Sequence, residues 1–244
     1  FVRGVNEGNN WLVRQGYCAW ESFEKANEQA VDGLKRGVES VAFCIDGNTE
    51  ICMGEMSALL KGINLYATEV NFEGCSCATA EIIASFLQVA KAAGVKPAEI
   101  RASFDFDPLR KLTTTGNFCC EDFKSTIKKC MDLVKDYPGI RVIGVEGYAF
   151  NDAGSTIVQE LGFAMAAGSE YMNMLTEMGY TADEAASRIK FTMAIGPNYF
   201  MEIAKFRAAR MLWANITKEY GANEASSQKI PVSAVTSQWN MTVY

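Results

Sequence analysis

At 244 residues, with 49% hydrophobic and 21% charged side chains, the chain has globular composition, which excludes a disordered polypeptide. A net charge of −6 argues against nonspecific nucleic-acid binding, because phosphate neutralisation needs a surplus of Lys and Arg on one face. No apolar run reaches the length a bilayer demands, and residues 1–10 lack the basic region and apolar core of a signal peptide, so a cytoplasmic chain without a membrane span is expected.

Short apolar runs alternate with stretches of helical period. A first helix over 21–36 puts Phe23, Ala26, Ala30, Val31 and Leu34 on one face and ends at Gly37. A strand follows over 40–45 (SVAFCI), then a helix over 56–66 and a strand over 69–75. The helix over 78–93 is closed by Gly94 with Pro97 shortly after, and 100–106 (IRASFDF) is the third strand. Helix 122–135 stops at Tyr137-Pro138-Gly139 before the fourth strand, 141–146 (RVIGVE). One long helix or two short ones occupy 155–178, with the fifth strand over 188–195, a helix over 200–219 and the sixth strand over 230–235. The Met and Phe faces around Met165, Met172, Met174, Met178, Phe200 and Phe206 read as core in preference to interface, because a barrel helix must bury a full stripe.

Single helices between strands imply right-handed βαβ crossovers and a parallel sheet. The fold class expected is α/β, a parallel (β/α)8 TIM-type barrel with about six of the eight strand–helix units, as one partial domain over 1–244. An open doubly wound sheet is the rival. No Gly-x-Gly-x-x-Gly follows the first strand, so the dinucleotide fingerprint that would favour the rival is missing.

The chain has no histidine, which removes Ser-His-Asp and Cys-His nucleophile systems, imidazole metal ligands and imidazole proton transfer near neutral pH. Eight cysteines are present without a Cys-x-x-Cys, and buried free thiols in a reducing compartment are expected.

In a parallel barrel the active site forms at the carboxyl ends of the strands. Those ends are Asp46-Gly47-Asn48, Gly74-Cys75-Ser76, Asp105-Phe106-Asp107, Gly147-Tyr148-Ala149, Gly196-Pro197-Asn198 and 236–239. Asp105 and Asp107, two apart on a strand, point the same way and are able to hold a metal or share a proton; a helix cap plus a solvated acid is the simpler reading. The Gly-bracketed segment 147–156 lets backbone approach a ligand closely, or forms a tight capped turn.

Three segments together carry a resemblance: 147–160 (GYAFNDAGSTIVQE), 195–213 (IGPNYFMEIAKFRAARMLW) and 235–241 (VTSQWNM), with fainter likeness at 11–15 (WLVRQ) and 40–43 (SVAF). They resemble the substrate barrel of the adenosylcobalamin-dependent acyl-CoA mutases, the methylmalonyl-CoA mutase family above all.

The resemblance implies a barrel whose functional residues have been replaced. Catalytic members carry Gly-Tyr-His where this chain has Gly147-Tyr148-Ala149, and alanine neither donates a hydrogen bond nor titrates. The family's Gln and Arg for the acyl-CoA correspond to Asp105 and Thr115, and its His and Gln of the sixth strand to Ser233 and Val235. Its tyrosine follows an Arg-Gln pair; here Arg14-Gln15 is followed by Gly16 and then Tyr17, so that a one-residue slip restores it. Arg14, Tyr17, Tyr148 and Asp152 are the remnants of a substrate pocket on this reading.

Some members pair a catalytic large subunit, which holds adenosylcobalamin, with a related small subunit whose site is degenerate. The losses fit the small subunit: no catalytic residue, no metal, no cofactor bound by this chain, and a heterodimeric partner that does the isomerisation. The alternatives are an acyl-CoA or cobalamin binding module, or an independently active mutase-like isomerase using Asp105, Asp107 and Ser233. The chain lacks an initial Met and closes after the sixth strand, so the remaining barrel units and the family's cobalamin-binding domain are expected in a longer native chain.

Overall fold

The computed structural model describes residues 5, 8, 10–45, 51–74 and 77–241. The expected strand end Asp46-Gly47-Asn48, together with Cys75 and Ser76, lies outside them. The described residues carry seven strands: β1 (Arg14–Cys18), β2 (Ser40–Cys44), β3 (Glu69–Glu73), β4 (Ala102–Phe106), β5 (Ile140–Glu146), β6 (Ile189–Ile195) and β7 (Val232–Thr236). Between them run α1 (Phe23–Lys35), α2 (Met53–Leu59), α3 (Thr79–Ala92), α4 (Pro108–Thr115), α5 (Phe123–Val134), α6 (Tyr148–Asp152), α7 (Ile157–Glu177), α8 (Ala182–Ser187) and α9 (Tyr199–Glu219). Parallel pairing in chain order with helical connections gives the partial (β/α) barrel that the sequence implied. All six expected strands are present, and β1 is a seventh that the count of six omitted.

The chain forms two compact units, Trp11–Ile143 and Phe1–Asn10 with Gly144–Tyr244. In the first, β1 pairs with β2, β2 with β3, β3 with β4, and β4 with the start of β5, all parallel. One face of this sheet is aromatic. Tyr17 lies against Phe43, Phe43 against Phe72, and Phe72 stacks on Phe104 at 5.1 Å, with Phe86 of α3 edge-on to both Phe72 and Phe104. Side chains alternate across a strand, so the opposite face receives Arg14, Ser40, Asn71 and Ser103. These are joined: Ser103 Oγ donates to Asn71 Oδ1 at 2.7 Å, Asn71 Nδ2 to Ser40 Oγ at 2.9 Å, and Ser40 Oγ to Glu69 Oε2 at 2.8 Å. Barrel interiors are ordinarily filled by Val, Ile and Leu; here a buried polar ladder takes their place.

In the second unit β6 pairs parallel with β7, and α7 packs on α9. Phe191 of β6 meets Trp213 of α9 edge-on at 4.8 Å. Gly168 of α7 makes this possible, since a Cβ there would lie 2.6 Å from the Phe191 ring and 2.9 Å from Trp213. Helix α7 starts with a capping box: Gln159 N donates to Thr156 Oγ1, and Thr156 N to Gln159 Oε1.

Three expectations are corrected. Of the described cysteines only Cys130 is buried; Cys18, Cys52 and Cys77 are exposed and Cys44, Cys119 and Cys120 half-buried. Met165, Met172 and Met174 are core, but Phe200 is 80% exposed, because α9 turns Glu202 and Lys205 inward in its place. Residues 56–66 are helical only to Leu59, the helix beginning earlier at Met53.

Candidate functional site

The carboxyl ends of β5, β6 and β7 are bound together by hydrogen bonds. Helix α6 follows β5 after Gly147 and carries Tyr148, Ala149, Asn151 and Asp152. Ser237 Oγ donates to Asn151 Oδ1 at 2.7 Å, Trp239 Nε1 to the Asn151 carbonyl at 2.9 Å, and Gln238 N to Asp152 Oδ1 at 3.4 Å. Ser237 N and Asn240 Nδ2 both donate to the Ile195 carbonyl at the end of β6. Asp152 is therefore engaged with backbone, while Tyr148 and Ala149 remain half-buried at the first turn of α6.

Beneath the end of β6 lies a buried charge cluster. Lys205 Nζ is 2.7 Å from Glu160 Oε2, 2.7 Å from Glu202 Oε2 and 2.7 Å from the Ala194 carbonyl. Ala194 N donates to Glu160 Oε1 at 2.8 Å and Gly196 N to Glu202 Oε1 at 3.0 Å. Burial raises the Glu160 carboxyl above its ordinary value, opposed by its hydrogen bonds from Lys205 and Ala194. Two carboxylates share one ammonium, and every backbone bond they make ends on β6 or the turn after it. The cluster fastens α7 and α9 to that strand end.

In the other unit, Asp105 and Asp107 are both buried. Asp107 caps α4, its Oδ1 accepting from Arg110 N at 3.0 Å. Asp105 has φ 31° and sits where the β4–β5 register shifts, so the simple two-residue alternation expected for the pair does not hold across it. Burial of Asp105 replaces the solvated acid of the simpler reading. Among the described residues no group of three or more Cys, Asp or Glu is placed to hold a metal ion. Thr115 ends α4, exposed, its hydroxyl donating to the Lys111 carbonyl.

Arg14 opens β1 and is engaged with neighbours at that amino end: Nη2 is 3.2 Å from Glu69 Oε2 and Nε donates to Ser40 Oγ at 3.1 Å. Tyr17 faces the helices, with its hydroxyl against Gly33 of α1, whereas Gly16 shares the Arg14 face. On β7, Ser233 is half-buried and Val235 exposed, in register with Thr192 and Ala194 of β6. An apolar cleft of about 440 Å³ runs along α9, lined by Ile195, Pro197, Tyr199, Ile203 and Phe206 with Arg207 and Arg210 at its edge.

The clip Asn151–Ser237–Trp239 and the cluster Glu160–Glu202–Lys205 are the groupings that sequence reading did not assemble. A signal existed: their members fall in the three segments 147–160, 195–213 and 235–241 that carried the resemblance.

Parallel strands with helical connections, and carboxyl ends tied by capped acids and backbone clips in a chain with no histidine, define a (β/α)-barrel protein without an imidazole centre. The profile described as Methylmalonyl-CoA mutase matches residues 51–244, and the chain belongs to the methylmalonyl-CoA mutase family. It is 41% identical to the methylmalonyl-CoA mutase small subunit of Porphyromonas gingivalis, covering 100% of this chain and 39% of that one. The methylmalonyl-CoA mutase small subunit of Streptomyces virginiae is 32% identical over 99% of this chain and 39% of its own length. The methylmalonyl-CoA mutase large subunit of Porphyromonas gingivalis is 27% identical, over 99% of this chain and 38% of its own. The chain thus spans about two fifths of the length of the curated relatives it matches. Among the described residues no helix is long and apolar enough to cross a membrane.

Proposed function

We propose that this chain is the amino-terminal barrel portion of a non-catalytic small subunit in a heterodimeric methylmalonyl-CoA mutase, where it supports a catalytic large subunit that interconverts methylmalonyl-CoA and succinyl-CoA. The observation that carries this reading is Ala149 on the first turn after β5, in a chain with no histidine at all. A methyl group there supplies no proton and no hydrogen bond to a thioester. Two small subunits among the relatives support the assignment. At the carboxyl end of β5, Ala149 offers a bound cofactor neither a hydrogen bond nor a proton. On this reading the cofactor belongs to the partner.

The test is to co-express the full-length protein with the catalytic large subunit of the same source and separate the products by size exclusion. A stable complex is expected, active with acyl-CoA and adenosylcobalamin, with no turnover by the small chain alone. Absence of a complex, or turnover by the isolated full-length chain, would overturn the reading. Saturable binding of acyl-CoA by the isolated chain would favour a binding module instead.

A further inference from the structure

Three thiols converge beyond the carboxyl end of β3. Cys77 lies just before α3, which begins at Thr79, and Cys119 and Cys120 lie just before α5. The Cys77 thiol donates to the Cys119 carbonyl at 2.9 Å, which holds its sulfur against the Cys119–Cys120 peptide. Cys120 follows directly on the carbonyl that Cys77 binds, and the Cys77 side chain is among the causes that raise its thiol. Cys119 Sγ and Cys120 Sγ are 3.8 Å apart, but a disulfide between sequence neighbours closes a small, strained ring. Cys77 is exposed and Cys120 half-buried, so one thiol meets solvent and the other waits behind it.

We propose that Cys77 and Cys120 form a redox-sensitive pair, converted by a hydroperoxide to a disulfide that staples the segment entering α3 to the segment entering α5. The Cys77 sulfur attacks one oxygen of the peroxide; the O–O bond breaks, releasing water or an alcohol and leaving a sulfenic acid on Cys77. The Cys120 sulfur then attacks the sulfenyl sulfur. Its S–H proton leaves with the displaced hydroxyl as water, and the S–S bond forms. Two thiols are oxidised and one peroxide is reduced. Burial, then contact with Cys77, pushes the Cys120 thiol up to about 12, which keeps it protonated at neutral pH and leaves the first step to Cys77. This pair is independent of the mutase reading.

The full-length chain is to be reduced, treated with hydrogen peroxide under native conditions, alkylated, digested and mapped by mass spectrometry. A cross-link between the Cys77 and Cys120 peptides is expected, reversed by dithiothreitol, with the loss of two titratable thiols. The Cys120→Ser chain is expected to hold Cys77 as a sulfenic acid that dimedone traps. Full alkylation of both residues after peroxide, or a cross-link from Cys77 to Cys75 or Cys119 in place of Cys120, would overturn the proposal. The map of the unsubstituted chain decides the matter even if a variant fails to fold.

Discussion

The Lys205 ammonium and the Glu160 carboxylate stand 2.7 Å apart with neither side chain exposed, although 45 residues separate them. Glu202 completes the cluster from one helical turn away. Removing either kind of charge from such a site has unequal consequences. Lys205→Met leaves two buried carboxylates without a cation and should cost about 3–5 kcal/mol. Glu160→Gln leaves one carboxylate opposite one ammonium and should cost about 1 kcal/mol. Urea unfolding of the two variants beside the parent chain gives both numbers, and equal losses would contradict the geometry.

The same cluster sets a pH dependence. Burial raises the folded Glu160 carboxyl above its ordinary 4.5, so the folded state binds this proton more tightly than the unfolded chain. The stabilisation from that bound proton is fully present below the ordinary value and is lost as pH rises through the raised one. Stability of the parent relative to Glu160→Gln should therefore fall as pH rises from the ordinary carboxylate range through the raised value. Denaturant midpoints from acid to neutral pH measure it; a difference that is flat or rises with pH would refute it.

Ser237→Ala should destabilise by about 1–3 kcal/mol, because it leaves the buried Asn151 Oδ1 without its 2.7 Å donor and Trp239 N without its 3.2 Å acceptor. Chemical unfolding followed by tryptophan emission reads the loss. A native emission change is expected as well, since Trp239 Nε1 is bonded to the segment that Ser237 holds.

Gly168→Ala should cost about 1–3 kcal/mol by overpacking, the new methyl meeting Phe191 and Trp213 below van der Waals distance. Gly162→Ala, on the same helix with nothing within 4 Å of the methyl it would add, serves as the control and should be neutral or mildly stabilising. Thermal melts of the two variants should separate clearly.

Much of the barrel was legible because its strands and helices bury apolar residues at their own period. The strands over 40–45 and 141–146 contain the apolar runs Val41–Phe43 and Val142–Val145, and 69–75 and 100–106 alternate apolar with polar residues. β1 escaped notice because Tyr17 is its only buried residue, and Arg14-Gln15-Gly16 reads as a polar approach. Helix α4 escaped because only Pro108 is buried in it; its start is set by the Asp107 cap and its end by Gly116 at φ 74°. The charge cluster was hidden for a different reason. Glu202 and Lys205, three apart, look like an ordinary solvated pair, and nothing local in Glu160 announces that it arrives beside them. The orientation of Tyr17 was likewise unreadable until the strand register fixed which face it takes.

Cys130 has a use that follows from its placement. Its side chain is fully enclosed in α5, and burial, with the nearby Glu81 carboxylate, pushes its thiol up to about 12. Thiol reagents reach it only when α5 detaches from its neighbours, whereas Cys18 and Cys52 stand open throughout. A short alkylation pulse therefore counts opening events of this helix against an internal standard in the same molecule, and the native chain supplies both reporters without any engineering.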